Sequence, residues 1–286
     1  MLVSRQKAAS TFAMTVSALA LGCLLIVAPQ TAHAEPTAAS TRVAASDDLN
    51  AVFKTQPCVS SKSLAQLDAP IARVAKRLDA HEPVTIAALG SSSTGGAGAT
   101  SAAYSYPSRL ERELRQRFPG AAISVINRGV NGEEAADMMA RLDPILDQKP
   151  DLVIWQLGTN AVMRDTSAPA VGELLKTGIT RIKKTGADVL LIDPQFAPAV
   201  NAKPSVNEMV GLIGYVAKQA HVPLFRRYVA MRRWHEDESI AFDRFIAADG
   251  LHLNDWGYSC FARLLADNIA GAVARSRTVA DVKPFQ

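Results

Sequence analysis

Apolar residues fall into five short runs along the chain: VTIAAL from Val84, ISVINRGV from Ile123, DLVIWQLG from Asp151, DVLLID from Asp188 and VPLF from Val222. Between them lie stretches whose apolar residues recur every three or four positions. These are Tyr106–Phe118, Glu133–Leu146, Ala170–Lys184 and Val206–Ala220, with a closing segment Trp256–Arg275. An earlier stretch, 62–79, carries Leu64, Leu67, Ile71, Val74 and Leu78 at helical spacing. Runs with little polar alternation read as strands buried on both faces, and the intervening period reads as amphipathic helix. The pattern therefore predicts one three-layer α/β/α domain around a mainly parallel sheet of about five strands. There is no internal repeat.

The first residues follow a different rule. Arg5 and Lys7 precede an apolar stretch from Phe12 to Ala28, then Pro29 and Ala32-His33-Ala34. A basic start, an apolar run and a small-x-small site predict a signal peptide, residues 1–34, and hence an exported protein, periplasmic or secreted. An uncleaved membrane anchor is the competing reading, since the run nearly reaches the roughly 18–20 residues that span a bilayer. Leu21-Gly22-Cys23 loosely matches a lipidation site, but Leu24–Val27 continues the apolar run past the cysteine. Residues 35–50, EPTAASTRVAASDDLN, are small and polar and read as a flexible leader, leaving 51–286 as the folded domain.

Cleavage changes two other readings. The formal charge of +4 loses Arg5 and Lys7, leaving 29 basic against 27 acidic residues, a net of +2. No basic cluster stands out in the rest, so nothing points to nucleic acid. Of the three cysteines, Cys58 and Cys260 remain beyond the cleavage site. An oxidising compartment makes them a disulfide candidate, with two separately packed thiols as the alternative. No metal-ligand spacing occurs.

In open parallel sheets, ligands sit outside the carboxyl ends of the strands. The first predicted strand is followed by ALGSSSTGGAGAT, residues 88–100. Such a hydroxyl- and glycine-rich loop either cradles a phosphate or presents a serine nucleophile. The second strand leads into Asn127-Arg128-Gly129-Val130-Asn131-Gly132, and the third into Gly158-Thr159-Asn160. Near the end come Asp249-Gly250-Leu251-His252 and then Leu253-Asn254-Asp255-Trp256-Gly257-Tyr258. Four polar or glycine-bearing loops thus converge on one edge.

Ser92, Gly132, Asn160 and His252, in that order after those strands, resemble the four landmarks of the GDSL/SGNH hydrolases. The family pattern has a serine in G-D-S, a glycine after the second strand, an asparagine in G-T-N-D and a histidine in D-x-x-H. The resemblance spans about Val84 to Leu265. It implies a flavodoxin-like SGNH hydrolase fold and an esterase without metal or organic cofactor. Two positions depart: Ser91 stands for the aspartate of G-D-S, and Ala161 for that of G-T-N-D.

Chemical reasoning on the same residues agrees. A serine hydroxyl becomes nucleophilic when a base takes its proton, which His252 supplies in its neutral form. Asp249 is spaced to hold the second imidazole nitrogen. Ser92 N–H, Gly132 N–H and the Asn160 amide are the candidate oxyanion donors. Ser91, Ser93 and Thr94 read as turn and cap residues. Tyr104 and Tyr106, at the end of a loop read as a mobile lip over residues 94–106, are candidate substrate contacts, as are Gln195 and Phe196 after the fourth strand. His235, within RRWHEDES, reads as a solvated helix residue. The expected partner is a small-molecule or glycan ester, with membrane contact only through an uncleaved signal segment. Two rival readings stay open: a flavodoxin-type loop gripping a flavin phosphate, and an inactive glycan-binding module.

Overall fold

Burial on both faces is what turns the apolar runs into strands. In the computed structural model, which describes residues 50–58 and 66–281, they become β1 Val84–Gly90, β2 Ile123–Gly129, β3 Leu152–Gln156, β4 Asp188–Ile192 and β5 Leu224–Phe225. The expected signal segment, residues 35–49 of the leader, and Leu64 lie outside the described residues. All strand pairs are parallel, in the order β2-β1-β3-β4-β5. Every residue of β3 is buried, whereas β2, at the sheet edge, carries the exposed and half-buried positions of Val125–Gly129. The order reverses between β1 and β3, and such a switch point is where open parallel sheets form their ligand crevice.

The helices are α1 Ala72–Asp79, α2 Ser92–Gly95, α3 Tyr106–Arg117, α4 Ala135–Ala140, α5 Leu142–Leu146, α6 Thr159–Met163, α7 Ala168–Lys184, α8 Pro198–Asn201, α9 Val206–Gln219, α10 Arg227–Glu236 and α11 Asp255–Asp281. One layer is formed by α1, α3 and α11, and the other by α4, α7 and α9. The long α11 packs along α3, and its buried residues run from Trp256 to Val273.

Two expected helices are shorter than their periodicity suggests, each because of a proline. Within the described part of the 62–79 pattern, residues 66–79, helix begins at Ala72. Pro70 disfavours helical geometry in the residue before it, so Leu67 and Ile71 reach the core from irregular chain. Likewise, Glu133–Leu146 breaks at Arg141 into α4 and α5. Pro144 has no N–H for the Ala140 carbonyl. The largest correction concerns RRWHEDES. It ends a helix, α10, whose Trp234 is fully buried edge-on to Phe245 and Trp256. His235 is half-buried, stacked 3.9 Å from Phe242, with Nδ1 3.0 Å from the Ile240 carbonyl. Charged neighbours on the outer face hid an aromatic inner one.

Cys58 and Cys260 form a disulfide with their Cα atoms 5.3 Å apart. It fastens the segment 50–58 across the start of α11, where the Trp256 Nε1–H also donates to the Gln56 carbonyl at 2.7 Å. Phe53 lies beneath the Arg263 guanidinium, 4.3 Å away.

Behind the sheet's carboxyl edge two ionisable residues, Asp193 and Arg227, are buried side by side. Asp193 follows β4, and its carboxylate accepts the Tyr228 N–H at 2.9 Å. Fully buried Arg227 donates from Nε to the Asp193 carbonyl at 3.0 Å. Burial pushes the Asp193 carboxyl up to about 7 and the Arg227 guanidinium down to about 10, each against the pull of the other.

Two stability experiments follow from these features. The bridge closes a loop of 202 residues, so reducing it or replacing Cys260 with serine should cost about 2–5 kcal/mol, read as a lower urea midpoint. Asp193 acts through pH. Its folded carboxyl holds a proton that the unfolded chain has already released, so its contribution is fully present below about pH 4 and is lost as pH rises toward 7. Asp193→Asn should flatten that fall when urea midpoints are compared across this range.

Candidate active site

Ser92 opens α2 immediately beyond β1, at the switch point. What holds it there is a side chain in the middle strand. Gln156 ends β3, fully buried, and its Oε1 accepts the Ser91 N–H at 3.1 Å, the Ser91 hydroxyl at 3.2 Å and the Thr94 hydroxyl at 3.1 Å. A Cβ at Gly90 would meet Thr94 Oγ1 at 2.1 Å and Gln156 Oε1 at 2.8 Å, so only glycine lets the turn close. At Gly129 a Cβ would lie 2.1 Å from the Gly95 nitrogen, because α2 rests on the end of β2. Ser91, read as a helix cap, makes no side-chain capping bond; its hydroxyl serves Gln156 instead.

Ser92 Oγ lies 2.8 Å from His252 Nε2, and His252 Nδ1 lies 2.6 Å from Asp249 Oδ2. The other Asp249 oxygen accepts the N–H groups of Leu251 and His252, both at 2.9 Å. A carboxylate beside Nδ1 selects the tautomer with its proton there, leaving Nε2 to accept from the serine. Partial burial works against the Asp249 charge, but the hydrogen bonds from His252 and from the two backbone N–H groups hold its carboxyl below the usual value. It is therefore ionised wherever the imidazole needs it.

The turn carrying these residues is a closed loop in its own right. Ile246 and Leu253 form an antiparallel bridge, the Ala247 N–H donates to the His252 carbonyl at 2.8 Å, and Gly250 turns the chain at φ +68°. Phe245, at its base, packs edge-on against Trp234. On its other side the turn meets the loop that follows the serine. Asp255 accepts the Thr100 N–H at 2.9 Å and its hydroxyl at 2.6 Å, and the Tyr258 hydroxyl donates to the Ala97 carbonyl at 2.7 Å. A Cβ on Gly98, at φ +87°, would lie 2.5 Å from the Leu253 carbonyl oxygen and 2.9 Å from His252 Cβ.

Those ties correct the reading of residues 94–106 as a mobile lip: the loop is fastened to the histidine turn and to α11. Tyr106 is corrected as a substrate contact. It is fully buried, its hydroxyl 3.3 Å from Thr94 Oγ1 and its ring 4.9 Å from Phe261. Tyr104 is half-buried with its ring 4.3 Å from the Arg109 guanidinium. Gln195 is also corrected: it is 1% exposed and engaged on both ends of its amide, so it lies under the site rather than in its wall. Phe196 packs into the cluster of Tyr228, His235 and Phe242.

Gly132 sits at φ +80° in the turn after β2, beside Arg164, whose guanidinium pairs with Glu134 at 2.8 Å. Asn160, on α6 after β3, donates from Nδ2 to the Glu133 carbonyl at 2.8 Å, which brings its amide against the Gly132–Glu133 turn. That amide keeps one N–H for another acceptor. Glu133 in turn holds Arg141, which donates to the carbonyls of Arg128 at 2.8 Å and Gly90 at 3.3 Å. The serine, glycine and asparagine loops are thus cross-tied. Gln156, Gly98, Asp255 and Arg141 are the supports that motif spacing misses. Only Gln156 leaves a trace in the sequence, as a polar residue inside a doubly buried strand. No group of three or more His, Cys, Asp or Glu is placed to hold a metal ion among the described residues.

Comparisons with known proteins bear on the family and the fold. The chain belongs to the Non-GDSL lipase-like family, whose model matches residues 57–275. It is 34% identical to an arylesterase of Vibrio mimicus over 95 residues, 33% of this chain and 46% of that one, so the match spans about half the relative's length. A lipase/acylhydrolase from Enterococcus faecalis superposes with a TM-score of 0.57 at 26% identity, over 71% of this chain and 99% of the other. The fold is also that of a two-domain esterase active on acetylated mannans, with TM-score 0.64, 22% identity, and coverage of 76% and 58%.

Gly98→Ala tests how closely the two loops must approach. The added methyl cannot be accommodated without shifting His252, so the rate of Ser92 modification by a fluorophosphonate should fall at least about tenfold. Circular dichroism should meanwhile show the fold retained.

Proposed function

We propose that this chain is a serine esterase that transfers an acyl group from a carboxylic ester to water. The observation that carries the reading is the unbroken hydrogen-bonded line from Ser92 through His252 to Asp249, at the switch point of the sheet. Ser92 Oγ attacks the ester carbonyl carbon as its proton passes to His252 Nε2, and Asp249 stabilises the imidazolium. The oxyanion is met by the Ser92 and Gly132 N–H groups and by the free N–H of the Asn160 amide. As the tetrahedral species collapses, His252 returns the proton to the departing alcohol. Water, deprotonated by His252, then attacks the acyl-serine, and His252 returns that proton to Ser92 Oγ as the acid departs.

The names of an arylesterase and of an esterase active on acetylated mannans among the relatives support aryl esters or acetyl groups on a glycan as the substrate class. Export belongs to the same reading and rests on the basic start, apolar run and small-x-small site of residues 1–34. A flavin-phosphate cradle has less support, since the Ser91 and Thr94 hydroxyls turn inward to Gln156 and the Ser92 hydroxyl faces His252. An inert binding module would have no need of that line.

The test is chemical. A fluorophosphonate should add to Ser92 in peptide mass spectra and leave Ser92→Ala unmodified, while p-nitrophenyl acetate is hydrolysed. Asp249→Asn should stay folded but lose turnover by a factor on the order of 10³–10⁴, through the wrong tautomer and the lost charge. Labelling that persists in Ser92→Ala, or a near-normal rate in Asp249→Asn, would remove the respective residue from the mechanism.

A further inference from the structure

One buried side chain joins the two halves of the site. Gln195 lies three residues beyond β4. Its Oε1 accepts the Thr159 hydroxyl at 2.7 Å and an Arg227 Nη2–H at 2.8 Å, while its Nε2 donates to the Leu251 carbonyl at 3.3 Å. Thr159 immediately precedes Asn160, and Leu251 immediately precedes His252. The amide therefore spans from the oxyanion side to the base side through one bonded neighbour of each.

Its orientation is fixed. Arg227 is fully buried and anchored through Nε to the Asp193 carbonyl, so a permanent cation faces Oε1. Flipping the amide would turn its NH₂ toward that guanidinium and leave donor against donor. The correct face, with Nε2 toward Leu251, is thereby enforced from behind. The histidine turn is also tied in this direction by the Ala199 N–H, which donates to the Gly250 carbonyl at 3.0 Å, a bond between two residues that lie outside the Asn160 loop.

We propose that Gln195 is a positioning residue that sets the spacing between His252 and the Asn160 amide. The inference rests on the esterase reading. In acyl transfer the base must stay in line with Ser92 while the oxyanion forms near Asn160, and small misplacements there are costly in rate. Gln195 touches neither substrate nor reacting atoms; it acts through Leu251 and Thr159.

Gln195→Glu separates positioning from folding. It keeps an oxygen for Thr159 and Arg227, and adds a charge that Arg227 complements, but it sets an acceptor against the Leu251 carbonyl. Gln195→Met, of similar length and neutral, removes all three bonds and guards against an effect of the new charge. For each, fluorophosphonate titration gives the fraction of competent sites, and p-nitrophenyl acetate gives kcat per competent site and KM. The expected result is an unchanged titratable fraction in Gln195→Glu, with kcat per site down about tenfold or more and KM within about twofold. Gln195→Met should lose a similar factor per competent site even if fewer molecules fold. An unchanged kcat per site in both variants overturns the proposal. So does a loss confined to the titratable fraction, which would mark a purely structural role. A wild-type protein inert to both reagents would instead overturn the esterase reading itself.

Discussion

A buried amide oxygen at the end of the middle strand must be satisfied, and satisfying it shapes the turn that follows β1. Gln156 cannot reach water, so its Oε1 draws in the Ser91 N–H and the hydroxyls of Ser91 and Thr94. Those three bonds leave Ser92, between their donors, facing outward toward His252. Gly90 and Gly129 have no side chain because the turn lies too close to the ends of β3 and β2 for one. In the G-D-S pattern the residue before the serine is an aspartate. Here Ser91 supplies two donors to a glutamine, so the contacts beneath Ser92 are made by an N–H and a hydroxyl rather than by a carboxylate.

The remaining loops are fixed to that turn from two directions, and one of these supports is itself stiffened. Arg141 reaches from Glu133 to the carbonyl of Gly90. Asp255 and Tyr258, at the start of α11, hold the chain after the serine. The disulfide and the aromatic cluster around Trp234 and Trp256 stiffen the same end of α11. Catalytic groups carried on loops gain precision when the loops are bonded to one another and to rigid elements. That arrangement also explains why burial of charge is tolerated under the site. Burial of Arg227 carries a cost of desolvation, which Asp193, Gln195 and the Asp193 carbonyl partly offset.

Periodicity alone made the layer order legible. Strands buried on both faces have no polar face to alternate, and each amphipathic helix declares the side it buries. The parallel arrangement followed from that alternation. The four loop motifs were legible as well: three follow a predicted strand directly, and the fourth pairs an aspartate with one of the chain's five histidines three residues on. Where the reading failed, local pattern met a competing constraint. Pro70 and Pro144 cut helices that periodicity had extended, and the charges of RRWHEDES concealed the inward Trp234.

The sequence by itself determined the strands, most of the helices, the family and the residue types available for chemistry, since these depend on neighbours a few positions apart. Only the tertiary structure decided which side chains face each other across the sheet's edge. Ser92 and His252 are 160 residues apart, and Cys58 and Cys260 are 202 apart. Tyr106 and Gln195 read as plausible pocket residues because they follow the right segments. Burial assigns them elsewhere, for a polar side chain under a loop must find its hydrogen bonds inside the protein, and no local spacing records where those partners lie.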